Sequence, residues 1–318
     1  MRFPQACRLM AWVAIAPVLL GGCSIFRPAV EVHALTAREA IELKRSDILT
    51  RDKLSDATIQ TIRVAALDVK ACAKPISSEC VEALAAVTGI ATDRRLAALS
   101  ELWLAQAQAM EPGSVQQAAW LETIRYAYAY LFLGDHTPGE RAFEDRQTQV
   151  RDWYNYAVEH AAAGMFEIRQ QMPAQLPALT SGTIAGWELK LDLRSARMSG
   201  SAAVPAELVP ASSLSFRGLR SLYRRDGFGA ELVAVMPDDS LNATPTQDGH
   251  PVAKHSQPAL PWSEMPAPSM TVLLHPDGDS LDSVLHTHTA RLTVHDPYVE
   301  SAIMLRGQRV PLAANFTA

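Results

Sequence analysis

Trp187-Glu188-Leu189-Lys190-Leu191-Asp192-Leu193 is the stretch where the chain changes its hydrophobic period. Apolar and polar side chains alternate through it, the pattern of a half-buried β-strand. Upstream, apolar residues recur every three or four positions, which is helical spacing. Thr36 with Glu39 reads as a capping box. Ile59, Ile62, Ala66 and Val69 predict one helix face, and another helix starts near Ser78. Leu96, Leu99, Trp103, Ala107 and Met110 mark a helix closed by Pro112-Gly113. Ser114 and Gln117 are read as capping the next, with the stripe Leu121, Ile124, Tyr128 and Leu131 and a stop at Gly134. Thr137-Pro138-Gly139-Glu140 combines an N-cap, a first-turn proline and a capping-box acid. The long helix after it carries Val150, Trp153, Ala157, Ala161 and Gly164 on one face, where the small residues admit a close neighbour.

Downstream of Pro173 and Pro177 the strand pattern recurs at Ser213–Phe216, Glu231–Val235, Met270–Leu274, Ala290–Val294 and Ala302–Leu305. Asp226-Gly227, Gly278 and Gly307 supply turns. Residues 237–268 hold seven prolines and predict a long surface loop. The expected fold class is α+β: an N-terminal all-helical domain of helical hairpins over 36–172, then a small antiparallel β-rich domain over 180–318. No repeat of fixed period is visible.

The chain of 318 residues is 48% apolar, enough for a sizeable core, and carries a net charge of −5. That balance argues against nucleic acid as a partner, which calls for a basic stripe. At the start, Arg2 and Arg8 precede an apolar run from Leu9 to Leu20, followed by Gly21-Gly22-Cys23. A basic n-region, a short apolar stretch and small residues before a cut make a secretion signal. The run falls short of the roughly 20 residues of a spanning helix. Leu20-Gly21-Gly22-Cys23 resembles the lipobox of bacterial lipoproteins, which implies cleavage before Cys23 and a lipid on its thiol. An ordinary signal peptide is the plainer reading. The resemblance assigns 1–22 to the signal and 23–35 to the lipidated cysteine and tether. It places the protein in the bacterial cell envelope, held to the membrane by its anchor. With Ser24 next, this is expected to be the outer membrane, facing the periplasm. Loss of Arg2 and Arg8 with the signal leaves a net charge of about −7.

Cys7 leaves with the signal, so Cys72 and Cys80 remain as a pair in an oxidising compartment. They flank a turn-like stretch containing Lys74-Pro75, and the expectation is a disulfide, with two buried thiols as the alternative. His286 and His288 would share a face of a strand, with Asp282, His275 and His295 nearby in sequence. No recognised ligand spacing results, and solvent-facing histidines explain the same letters, so neither a metal nor a cofactor is expected. Arg224 and Arg225 precede the turn Gly227-Phe228-Gly229 and could clamp a carboxylate or phosphate, though such arginines more often lie solvated or pair with nearby acids. Gly-x-Ser-x-Gly, His-Glu-x-x-His, the P-loop and Gly-x-Gly-x-x-Gly are all missing from the sequence, so no catalytic residue is assigned.

Several blocks carry a wider resemblance. They are Leu208–Ser212, Phe216–Leu219, Arg224–Ala230, Ala290–Leu292, His295–Tyr298, Gly307–Ala318 and the helical Pro138–Gln147. Together with the lipobox they resemble the region preceding the catalytic domain in bacterial lipoproteins of the lipase/esterase-like α/β-hydrolase class. The resemblance spans roughly 115–318 and implies a hydrolase domain after the Val310-Pro311-Leu312-Ala313-Ala314 block. The sequence stops at Ala318, where that domain would begin, so none of the family's catalytic positions carries over. The expected role is to tether or shape a hydrolase domain lying downstream or supplied separately. The alternative is a stand-alone scaffold whose helices bind an envelope protein. A third reading is an enzyme with a His-based site of unrecognised pattern.

Overall fold

The computed structural model describes residues 36, 45–72, 78–134, 136, 140–141, 144–170, 181–193, 207–214, 222–235, 269–295 and 300–317. The expected signal, Cys23 and tether, the expected capping box of Thr36 with Glu39 and the loop expected over 237–268 therefore lie outside the described residues, Thr36 itself excepted. Arg45–Ala318 forms one compact unit and residues 1–44 group separately.

The fold is mixed α+β, with helices first and a β-rich half after them. The helices are α1 (Ile48–Arg51), α2 (Asp56–Val64), α3 (Ser78–Ala86), α4 (Thr92–Ala109), α5 (Ser114–Leu133) and α6 (Asp145–Gln170). Asp47 caps α1 in a capping box with Thr50, and Ser55 caps α2 by accepting from the Thr58 N–H. The predicted α2 face is shortened. Ala66 adopts φ 57, which ends the helix before Val69. The cap of α5 also differs. Gly113 takes the N-cap with no side-chain bond, while Gln117 is buried against Gly164 of α6, where a Cβ would meet its amide nitrogen at 1.9 Å. The small-residue face of α6 does admit a close neighbour, and that neighbour is α5. The start of α6 moves as well. It begins at Asp145, with Glu140 and Arg141 in a turn, and Thr137–Gly139 lie outside the described residues.

The stripe expected on α5 is buried, but so is most of the rest of that helix, including Trp120, Ala127, Tyr130 and Phe132. It runs between α4 and α6 and also packs on the sheet. A helix apolar all round belongs inside.

The strands are β1 (Ser181–Ile184), β2 (Trp187–Leu193), β3 (Glu207–Pro210), β4 (Leu222–Arg225), β5 (Ala230–Val235), β6 (Ser269–Pro276), β7 (Thr289–His295), β8 (Ala302–Leu305), β9 (Gln308–Pro311) and β10 (Ala314–Thr317), with helix α7 (Leu281–His286) between β6 and β7. Among the described residues, six strands form one sheet in the order β1-β2-β7-β6-β5-β3. Pairing is antiparallel except between β2 and β7, which run parallel from Glu188↔Thr289 to Leu193↔Val294. Strand β10 pairs with β4, and β8 with β9. The strand expected at Ser213–Phe216 is displaced: Glu207–Pro210 is the strand, and Ala211–Ser213 is a 3₁₀ turn after the proline, with Ser215 and Phe216 outside the described residues.

One core joins both halves. Trp153, Tyr154 and Ala157 of α6 belong to the same buried cluster as Leu232, Val272, Leu274 and Leu312. The Tyr154 hydroxyl donates to the Leu274 carbonyl at 2.9 Å. The change of period at Trp187 thus marks a change of secondary structure inside one unit. A smaller cluster, with Ile62, Val81, Leu84 and Leu99, lies under α2 and α3. Cys72 and Cys80 join it through a disulfide with their Cα atoms 5.4 Å apart.

Candidate functional site

Arg224 and Arg225 are consecutive on β4, so their side chains leave opposite faces. Arg225 Nε donates to the Leu312 carbonyl at 2.9 Å and Nη2 to the Glu300 carbonyl at 3.2 Å. Arg224 is exposed. The structure does not bring the pair together as one clamp; Arg225 ties the 300–312 stretch to β4. The turn that follows is held just as tightly. Asn155 of α6 donates Nδ2 to the Gly227 carbonyl at 2.9 Å and accepts from the Gly229 N–H at 2.8 Å. Phe228 exchanges backbone bonds with Pro311 and Ala313, and its ring lies 5.1 Å from that of Phe132. A Cβ on Gly227 would meet backbone atoms of Pro311, Leu312 and Ala313 at 2.5 Å, so glycine is required there. Thr271 completes the joint by donating to the Ala313 carbonyl at 2.7 Å.

His295 lies at the end of β7, only 2% exposed. Its Nδ1 pairs with the Glu300 carboxylate, and its buried Nε2 has no hydrogen-bond partner among the described residues. A histidine oriented by a carboxylate is the base half of a nucleophilic site, yet no hydroxyl or thiol among the described residues reaches Nε2. Among the described residues no other histidine pairs with it. His286 ends α7 and His288 lies just before β7, so the two do not share a strand face. The capping box of Ser280 and Ser283 turns that segment helical. Among the described residues no group of three or more His, Cys, Asp or Glu could hold a metal ion. No described helix is long and apolar enough to cross a membrane.

The helical half holds a second polar cluster that sequence reasoning missed. Glu101 of α4 has no exposed surface. Its Oε1 accepts from the backbone N–H groups of Ile48 and Ser55 at 3.3 and 2.8 Å, and Oε2 accepts from the Ser55 hydroxyl at 2.6 Å. Arg146 of α6 stands 3.7 Å from Oε2 and donates to the Ser55 and Thr58 hydroxyls at 2.8 and 2.7 Å. Burial raises the Glu101 pKa, with Arg146 and the hydroxyl bonds pulling it back. Burial likewise lowers that of Arg146. A serine just ahead of a helical pattern is the signal that could have pointed to Ser55.

Beside this cluster is a cleft of about 510 Å³ lined by residues of α2, the start of α4 and the end of α5 together with His136, Arg141, Glu144 and Arg146. Arg141 lies in its wall, paired through Nη2 with Asp93 and 5.1 Å above the Tyr130 ring. Burial pushes the Tyr130 hydroxyl up to about 12, so the ring stays neutral.

Compared with known proteins, the chain matches no family model, no curated protein and no solved structure.

Proposed function

We propose that the chain is a lipid-anchored envelope protein whose folded body is the non-catalytic front portion of a lipase/esterase-type hydrolase. It would tether, or wall one side of, a hydrolase domain lying downstream or supplied separately. One observation carries this reading. Three blocks of the hydrolase resemblance, far apart in sequence, meet in space: Arg224–Ala230, the end of β7 at His295, and Gly307–Thr317. Arg225, Phe228 and Thr271 fasten the last of them to the body. Ordinary residues so closely interlocked make a rigid platform, and a platform beside an active-site domain can shape its pocket.

The test uses the soluble chain from Ser24, which contains the whole compact unit, alone and joined to or mixed with a lipoprotein-type hydrolase domain. Alone, it should neither cleave short-chain aryl esters nor react with a fluorophosphonate probe. In cis or in trans it should change the hydrolase domain's solubility or substrate preference. Stoichiometric probe labelling at one serine of the isolated chain would make it an enzyme in its own right. No labelling together with no effect on the hydrolase domain favours the scaffold reading. The anchor has its own test. Cys23→Ala should abolish palmitate labelling and block normal cleavage, and persistent labelling of that variant rules the lipobox out.

A further inference from the structure

We propose that the groove between α1, the end of α4, the start of α5 and the middle of α6 binds a neutral sugar ring, whether or not the chain serves a hydrolase. The groove measures about 680 Å³, and the described residues that line it all belong to the compact unit. Volumes of that order are typical of small-molecule sites. One wall is aromatic. On α6, Tyr156 and His160 lie one turn apart, with ring centroids 4.0 Å from each other. Trp120 of α5 meets both, at 6.0 and 5.1 Å. Tyr156 and His160 are each half-buried and line the groove, so their rings offer it an apolar surface. Such a surface suits the C–H face of a pyranose.

The polar atoms beside those rings define the ligand further. His160 Nδ1 donates to the Tyr156 carbonyl at 2.9 Å. Burial lowers the His160 pKa, with that bond opposing, so the ring is neutral at pH 7. A neutral ring with its proton on Nδ1 leaves Nε2 as an acceptor. Gln116 of α5 uses both hydrogens of Nε2 on the Ala107 and Met110 carbonyls, each at 3.0 Å, which leaves its Oε1 as a second fixed acceptor. Neither acceptor is buried, and no described residue fills either. The Trp120 indole N–H supplies a donor. The residue is only 2% exposed, yet this N–H is not sealed off and has no acceptor among the described residues. Fixed acceptors beside a fixed donor suit hydroxyl groups, which both give and accept hydrogen bonds. A cation would face the indole N–H unfavourably, and an anion would face the two acceptors unfavourably. Arg51 and Asp52, both exposed, line the groove with opposite charges and select neither sign.

The probe is methyl β-glucopyranoside, whose equatorial hydroxyls leave a face of C–H groups free for the rings. It is titrated into the soluble chain from Ser24 and followed by saturation-transfer NMR. The expected result is saturable one-to-one binding, with transfer strongest at the protons of that C–H face. Sorbitol, which has the hydroxyls without the ring, should bind more weakly, and the cation choline should not displace the glucoside. His160→Phe keeps an aromatic ring and deletes Nε2. It should weaken glucoside binding about fivefold, the loss of one neutral hydrogen bond. Tyr156→Leu removes the neighbouring ring and should weaken binding at least as much. Absence of saturable glucoside binding by the folded chain overturns the proposal. So does equal binding of sorbitol, displacement of the glucoside by choline, or unchanged affinity in both variants with native circular dichroism.

Discussion

Glu101 shows how much a single side chain can hold together. Its two oxygens fasten the chain entering α1 and α2, and Arg146 of α6 supplies the opposite charge from another element. Removing one member of a buried pair strands the other, which costs about 3–5 kcal/mol. Glu101→Ala should therefore lower the unfolding free energy by that much, read as a lower urea midpoint at unchanged slope, because the Ile48 and Ser55 N–H groups lose their acceptor too. A loss within the range of a surface ion pair would mean that the site is solvated. Glu231 on β5 carries a different lesson. Burial raises its pKa from the ordinary 4.5 to about 7, with Arg224 opposing and Glu159 adding to the rise. A carboxyl whose pKa rises on folding holds its proton more tightly in the folded chain. It therefore weakens the fold as pH climbs from 4.5 through 7. Glu231→Gln should stabilise by about 1–2 kcal/mol at pH 8, after discounting for its partial exposure, and by nothing near pH 4. Thermal melts at the two pH values decide it, and a variant no more stable at pH 8 rejects the burial account. Neither role is legible in sequence. Glu101 lies mid-helix among ordinary letters, and its partners Ile48, Ser55 and Arg146 come from 53, 46 and 45 residues away. Arg225 stood out correctly as unusual, but the carbonyls that it serves lie 75 and 87 residues downstream.

At the scale of elements, legibility follows length and alternation. Strand β2 falls where the seven-residue alternation puts it, and β5, β6, β7 and β8 match their apolar runs to within two residues at either end. Four of the strands not anticipated, β1, β3, β4 and β9, have only four residues each, too few for a period to show. β10 is equally short, and only its pairing with β4 makes it a strand. The β1–β2 hairpin turns through Ala185 and Gly186, with φ of 49 and 86. That geometry suits Asn-Gly, and alanine is strained in it by about 1 kcal/mol. Ala185→Asn should raise the melting temperature by a few degrees, corresponding to roughly 0.5–1 kcal/mol. A lower melting temperature would show that the turn differs. The disulfide was legible because Cys72 and Cys80 are the pair left over once Cys7 and Cys23 are assigned to the expected signal and lipobox. It closes a short loop over the smaller cluster of α2, α3 and α4. The loop-entropy estimate for such a loop is roughly 2–3 kcal/mol. The double variant Cys72→Ser, Cys80→Ser should lose that much in denaturant titration. A variant equal to the parent would mean that the cluster holds its shape without the link.

For the whole molecule, the order of helices and strands was legible, but the number of cores was not. A change of period shows where one kind of element gives way to another. It does not show whether their apolar faces turn toward each other. Here they do. Tyr154 reaches the Leu274 carbonyl of β6, and Asn155 grips the turn before β5. The Arg125 guanidinium of α5 lies 4.4 Å over the Trp187 ring of β2 and also donates to the Thr287 carbonyl. A helical half cut away from the sheet would leave the Tyr154 hydroxyl and Arg125 without these partners. It would also expose the faces of α5 and α6 that the sheet covers. Each buried polar group left unsatisfied costs about 1–3 kcal/mol, and the apolar loss adds about 25 cal/mol for each Å² uncovered. Against a total stability of about 5–15 kcal/mol, such losses consume most of what holds the half together. Residues 45–172 produced alone should therefore keep helical far-ultraviolet dichroism, bind a hydrophobic dye and melt without a cooperative step. The soluble chain from Ser24 should instead unfold in one transition, with tryptophan fluorescence and dichroism superimposed. A sharp, dye-free melt of the isolated helical half would show that the helices have a sufficient core of their own, and that the contacts of Tyr154, Asn155 and Arg125 with the β-rich half join two domains that fold separately.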